Sequence, residues 1–104
     1  ISESADIPAN SLNELAWTVY EAAADNKKFS KPLIAAATLA AEKAVAKEPD
    51  NGAILDTLAH LVYIQGNVER AIELQTKAVK NAPEQMKDDL QSFLDELQSK
   101  KSPK

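Results

Sequence analysis

The residue of this chain best suited to chemistry is His60, its single histidine. An imidazole titrates near neutral pH, so it could act as a switch, a general base or a metal ligand. No cysteine or second histidine is present to complete a metal site, and Asp56, four residues earlier, is expected to pair with His60 on a helix surface. No Ser/His/Asp set or glycine-rich phosphate loop occurs. We therefore predict that the chain is not an enzyme and needs no cofactor or metal.

Aromatic side chains offer a second kind of chemistry, which is recognition. Trp17, Tyr20 and Tyr63 combine apolar area with a polar group, a combination enriched in binding hot spots. On a predicted first helix, Asn13, Trp17 and Tyr20 lie about 80–140° away from Leu12 and therefore off the apolar stripe. Two interpretations stay open: the rings contact a ligand, or they cover the seam between helices in a small core.

Two internal repeats identify the elements that must position these residues. With an offset of 43, five residues recur between segments 12–20 and 55–63, and with an offset of 34 another five recur between 37–49 and 71–83. The two helices of the earlier copy are therefore nine residues further apart than those of the later copy. The first offset places Asp56, His60 and Tyr63 at the positions of Asn13, Trp17 and Tyr20.

Apolar residues at helical spacing predict five helices. The first begins at a capping box formed by Ser11 and Glu14 and ends near Asp25–Asn26. Its buried stripe is predicted to comprise Leu12, Leu15, Ala16, Val19 and Ala23. An enlarged turn over 24–32 follows, and Ser30 is the expected N-cap of an alanine-rich second helix that carries Pro32 in its first turn and runs to about Lys47. The many alanines predict close packing.

The later helices have clearer boundaries. The third is predicted over roughly Ala53–Gln65, because Gly66 can adopt the left-handed conformation that ends helices. Asn67 is the expected cap of the fourth, over Val68–Asn81, and Pro83 precedes a fifth over Glu84–Ser99. Residues 1–9 are predicted to be a linker or lead-in, and 100–104 a frayed basic tail.

Composition narrows the function further. A net charge of -4 argues against nucleic acid, since phosphate backbones require clustered Lys and Arg. The longest apolar run, Leu33–Ala41, is far shorter than the roughly 20 residues of a membrane span. The opening Ile and the lack of a signal-like segment lead us to expect a piece of a longer or processed protein.

The spacing resembles that of the tetratricopeptide repeat (TPR), a helix-turn-helix unit of about 34 residues. The second unit matches through Leu55, Leu58, Ala59, Val62, Gly66, Ala71, Ala78 and Pro83. The first matches through Leu12, Leu15, Ala16, Val19, Ala37, Ala44 and Pro49. Gln75 and Ala41 depart from the family's bulky position, which predicts a thinner contact between helices. The chain is also similar to tails that follow thioredoxin-like domains in larger bacterial proteins.

The resemblance implies an all-α, TPR-like right-handed stack of helical hairpins. The domain would span 10–99, with repeat one over 10–49, repeat two over 52–83 and a capping helix over 84–99. In the family, the first helix of each repeat lines a concave groove that binds proteins or peptides. The groove residues would be Asn13, Trp17, Tyr20, Glu21, Asp56, His60 and Tyr63.

The expected groove is mildly acidic, because it includes Glu21 and Asp56, so a basic or neutral ligand would suit it. The family's carboxylate-clamp function is rejected, because Trp17, Asp56 and His60 replace most of the clamp residues. The predicted function is a protein- or peptide-binding module. The alternative is an accessory or oligomerisation tail of a larger, thioredoxin-like protein, including a homodimer that buries Trp17.

Overall fold

The structure is a computed structural model and describes residues 7–26 and 31–101. These residues form five α-helices: α1 (Ala9–Asn26), α2 (Lys31–Lys47), α3 (Gly52–Ile64), α4 (Val68–Asn81) and α5 (Glu84–Lys101). No strand occurs in these two ranges, so the predicted all-α class is confirmed. None of the five helices is long and apolar enough to cross a membrane.

Each helix packs against the next one along the chain, and α1 also contacts α3. The central core between them is built largely from small side chains. Ala16 of α1, Ala41 of α2 and Ala59 of α3 are fully buried in one cluster with Leu58 and Leu97. Alanine lets neighbouring helix backbones approach closely while keeping a high helix propensity. This packing brings the surfaces of α1 and α3 next to each other.

Helix α3 is the most apolar of the five and is buried along most of its length. Its first residue, Gly52, is buried where α3 meets the end of α4. A Cβ atom at Gly52 would lie 2.8 Å from the carbonyl oxygen of Ala78 and 3.0 Å from the Cα of Ala82. Both neighbours are backbone atoms, so only glycine allows this close approach.

The boundaries of α3 and α4 lie close to those predicted from the sequence. The Asn51 side chain accepts a hydrogen bond from the Ile54 amide at 3.2 Å, and that of Asn67 accepts one from the Arg70 amide at 3.1 Å. Between these two helices, Gly66 has φ of 97°, in the left-handed region. The predicted cap at Asn67 and the predicted helix-ending glycine are both confirmed.

The predicted start of α1 is wrong. The helix begins at Ala9, and the Leu12 amide donates to the Pro8 carbonyl at 3.1 Å, so Ser11 and Glu14 lie inside the helix and form no capping box. Burial explains the earlier start, since Ala9 is only 4% exposed and packs in a cluster with Leu12. A proline immediately before the helix needs no partner for a backbone amide.

The predicted stripe of α1 is also wrong at one position. Leu15 is 57% exposed, whereas its repeat counterpart Leu58 is 1% exposed. The difference follows from position, because α3 packs against α1, α2 and α4 while α1 packs mainly against α2 and α3.

Two predicted loop segments are partly helical. Residues 24–26 continue α1, and Lys31 and Pro32 begin α2, which shortens the enlarged turn; the predicted cap Ser30 lies outside the described residues. Helix α5 continues to Lys101 and includes the first two residues of the predicted tail.

Candidate functional site

The predicted groove residues occupy one face of α1 and one face of α3. Trp17 and Tyr20 come from α1, and His60 and Tyr63 from α3. Because α1 packs against α3, the two rows meet: the ring centroids of Trp17 and His60 are 5.1 Å apart, and those of Tyr20 and His60 are 5.0 Å apart. All four side chains are half-buried. We call these rings, together with Phe93 described below, the aromatic surface.

His60 is at the centre of the aromatic surface. The indole of Trp17 meets its ring edge-on at an interplanar angle of 87°, and Trp17 also contacts Tyr20 at 5.0 Å between centroids. Offset and edge-to-face geometries of this kind are the favoured ones for aromatic pairs. The rings of two helices therefore hold one another in fixed positions.

Phe93 completes the surface from α5 and is absent from the site predicted by the sequence. Its ring stacks on His60 with 3.7 Å between centroids and 8° between planes, and it meets Tyr63 edge-on at 5.8 Å. In the sequence, Phe93 belongs to the apolar pattern of α5, whose neighbours Leu90, Leu94 and Leu97 are buried. Phe93 itself is only half-buried, so it closes one side of the surface while remaining partly accessible.

A hydrogen-bond pair orients the imidazole. His60 Nδ1 lies 2.8 Å from the Asp56 backbone carbonyl oxygen and 3.4 Å from Asp56 Oδ1. A carbonyl oxygen only accepts hydrogen bonds, so Nδ1 carries the proton and donates it. The expected pairing of Asp56 with His60 is therefore present, but the two side chains are largely buried and do not lie on an open helix surface as predicted.

Gln75 connects this pair to the interior. Its side chain is fully buried, and its Nε2 donates to Asp56 Oδ1 at 2.8 Å and to the Leu90 carbonyl at 3.0 Å. One amide thus joins α3, α4 and α5, and the thin contact predicted at this position is wrong. Gln75 Oε1 is buried and has no hydrogen-bond partner within the described residues. The helical periodicity of the sequence does not indicate this role, because Gln75 stands where the repeat has an apolar side chain.

Burial also sets the acid–base properties of the site. Burial raises the pKa of Asp56, and Asp89 adds to the rise, while His60 and the hydrogen bond from Gln75 act in the opposite direction. Burial also raises the pKa of Tyr20, and the negative charges of Glu96 and Asp56 raise it further. Glu96 of α5 and Asp56 of α3 therefore act on Tyr20, while Asp89 of α5 acts on Asp56.

The charged side chains of α1 and α3, the helices that supply four of the five rings, are acidic. Helices α1 and α3 contain no lysine or arginine, while α1 contributes the exposed Glu21. Asn13 is half-buried on the same face of α1, and its Oδ1 lacks a hydrogen-bond partner in the described part of the chain. The surface therefore combines π faces and carboxylates, which are groups that attract cations.

The arrangement offers little for catalysis. The Asp56–His60 pair has the form of an oriented base, but its described contacts include no serine, threonine or lysine nucleophile. Across residues 7–26 and 31–101, no three His, Cys, Asp or Glu side chains come together as a metal site would require.

Comparison of the chain with protein-family models, with curated proteins and with solved structures finds no match. The resemblance to the tetratricopeptide repeat therefore rests on the repeated residues themselves.

Proposed function

We propose that this chain is a protein- or peptide-binding module, built as a TPR-like stack of two helical hairpins and a capping helix, and that its ligand is a basic segment. The aromatic surface carries the proposal. Five half-buried rings from three helices meet at one site, and tryptophan and tyrosine are enriched at binding hot spots.

The packing order supports the stack. Consecutive helices pack in pairs, and α1 contacts α3, which is the neighbour relation expected between the first helices of two successive hairpins. In such an arrangement α1 and α3 form one surface and α5 covers the last hairpin.

Charge supports the basic ligand. The negative charges of Asp56 and Glu96 act on Tyr20, that of Asp89 acts on Asp56, and neither α1 nor α3 carries a lysine or arginine. A lysine or arginine side chain placed against Trp17 would gain both cation–π and carboxylate contacts. An acidic segment would be repelled by Asp56 and Glu96, the carboxylates whose negative charges act on Tyr20.

Selection from a displayed random-peptide library on the immobilised protein tests this function. We expect enrichment of lysine- and arginine-containing peptides, and at least a tenfold loss of affinity for them in the Trp17→Ala variant by calorimetry. Glu96→Lys should weaken binding as well, whereas Glu73→Lys, the same charge change at an exposed position of α4, should not.

Folding of the Trp17 variants must be measured in parallel. Trp17 makes two described ring contacts, each worth about 0.5–1.5 kcal/mol, so Trp17→Ala should keep its helical circular dichroism while losing about 1–3 kcal/mol of stability. Loss of the helical signal would instead show that Trp17 belongs to the core. Enrichment of acidic peptides, or undiminished binding by folded Trp17→Ala, would contradict the proposal.

A further inference from the structure

A second surface stands apart from the aromatic one. Four large hydrophobic side chains are exposed in the described residues, and all of them lie at or before Leu39: Ile7 is 45% exposed, Leu15 57%, Leu33 51% and Leu39 56%. Single exposed leucines are ordinary on a protein surface. Three of the four lie on α1 and α2, and apolar side chains exposed on one part of a molecule often mark an interaction site.

Leu15 faces away from the aromatic surface. It precedes Trp17 by two residues, which places the two side chains about 160° apart around α1. On α2, Leu39 is exposed although Ala37, Ala40 and Ala41 beside it are buried. A molecule covering the two leucines would therefore leave Trp17 accessible.

The two leucines lie at nearly the same height. Helices α1 and α2 form an antiparallel hairpin, and its ends, Asn26 and Lys31, place Leu39 level with Thr18. Leu15 is three residues from Thr18, so it lies only about 4.5 Å below Leu39 along the helix axis. The two leucines therefore lie at similar heights on neighbouring helices of the hairpin.

The hairpin is also divided by charge. On α1 the exposed charged side chains described are acidic, Glu14 and Glu21. On α2 the exposed charges are Lys31, Lys43 and Lys47 and one acid, Glu42, which already pairs with Arg70 of α4 at 3.1 Å. One helix of the hairpin is therefore negative and the other positive.

We propose that this face is a homodimer interface, in which the α1–α2 hairpins of two copies form an antiparallel four-helix bundle. A two-fold axis parallel to the helices sets α1 of one copy against α2 of the other, so opposite charges meet. An axis perpendicular to the helices would set α1 against α1 and bring the acidic side chains together. Charge complementarity selects the first arrangement.

The same symmetry brings matching side chains together. Rotation about an axis parallel to the helices keeps every residue at its height, so Leu15 and Leu39 of both copies form one apolar layer. Glu14 and Lys43 each lie about 6 Å from the level of Leu39, on the same side of it. Glu14 of one copy therefore faces Lys43 of the other. This dimer goes beyond peptide binding, and it differs from a dimer that buries Trp17.

Sedimentation equilibrium up to about 1 mM protein tests the interface. Wild type should be dimeric, and Leu39→Asp should be monomeric with an unchanged melting curve when diluted, because the side chain is exposed. Glu14→Lys and Lys43→Glu should each weaken dimerisation by about tenfold or more, and the double variant should recover it. Glu73→Lys serves as the matched control, and Trp17→Ala should remain dimeric.

Three results would overturn the proposal: a wild type that stays monomeric at every concentration, a dimer that survives Leu39→Asp, or a double charge swap that is weaker than both single variants. Dissociation of the dimer by Trp17→Ala alone would assign the interface to the aromatic surface instead.

Discussion

Replacement of Gln75 by leucine tests the network beneath the aromatic surface. The substitution keeps a side chain of similar size in a fully buried position and removes two hydrogen bonds, one to Asp56 Oδ1 and one to the Leu90 carbonyl. A bond to a charged group is worth about 1.5–3 kcal/mol and a neutral bond about 0.5–1.5 kcal/mol. Removal of the unpaired Gln75 Oε1 offsets part of this loss, by about 1–3 kcal/mol. We expect Gln75→Leu to destabilise the neutral-pH protein by about 1–2 kcal/mol.

The pH dependence identifies the charged partner. Burial raises the pKa of Asp56 above 3.8, so the folded chain binds this proton more tightly than the unfolded chain does. The stability linked to Asp56 is therefore fully present below 3.8 and is lost as the pH rises through the folded pKa. Without the Gln75 amide the ionised carboxylate is still less favourable, so the effect of Gln75→Leu should be largest at neutral pH and shrink towards about pH 4.

Urea unfolding of four proteins from about pH 4 to about pH 8 measures both effects. In an Asp56→Asn background, Gln75→Leu removes only neutral hydrogen bonds, so its cost should fall by about 1 kcal/mol or more relative to the wild-type background. Equal costs in the two backgrounds would show that the Gln75–Asp56 hydrogen bond contributes nothing. A Gln75→Leu cost that does not change with pH would refute the role of the carboxylate.

Two further predictions concern the packing of α3 at Gly52 and the loss of stability at alkaline pH. Gly52→Ala should lower stability by about 1–3 kcal/mol in urea, because the added Cβ would lie 2.8 Å from the Ala78 carbonyl oxygen; unchanged stability would show that α3 shifts freely. Tyr20 should titrate above 10.0 in a Tyr63→Phe variant followed by absorbance, because burial and nearby carboxylates raise its pKa. Its stabilising contribution is lost as the pH rises through the folded pKa, so Tyr20→Phe should flatten the alkaline fall in stability.

Local signals in the sequence are enough to predict the helix boundaries of the second hairpin, formed by α3 and α4. Asn67 and the approaching Pro83 delimit α4 at the predicted residues, and Gly66 ends the helix before it with a positive φ. Helix caps and helix-ending residues act on the backbone within a few residues, so they can be identified without tertiary information. The start of α1 depends instead on the burial of Ala9, which only the packed structure reveals.

Some contacts of the candidate site can likewise be predicted from the sequence, and others cannot. An offset of 43 residues places Trp17 and His60 at equivalent positions, and the structure brings their rings together. Phe93 and Gln75 carry no such signal, because α5 is outside the repeat and Gln75 departs from its apolar pattern. Their contacts with His60 and Asp56 arise from how α5 and α4 lie against α3, which periodicity within one helix does not determine.

Two contacts tie the capping helix to the site. Phe93 stacks on His60, and Gln75 joins Asp56 to the backbone of α5 at Leu90. Asp56 and His60 therefore serve the fold as well as the surface, although the sequence places them on the exposed side of α3. Substitution of His60 or Phe93 would loosen α5 and weaken binding together, so the loss would not identify the ligand contact. Trp17 and Glu96 take no part in these two contacts, so their variants test recognition without detaching α5 from the site, and the stability that Trp17→Ala loses comes from its own ring contacts.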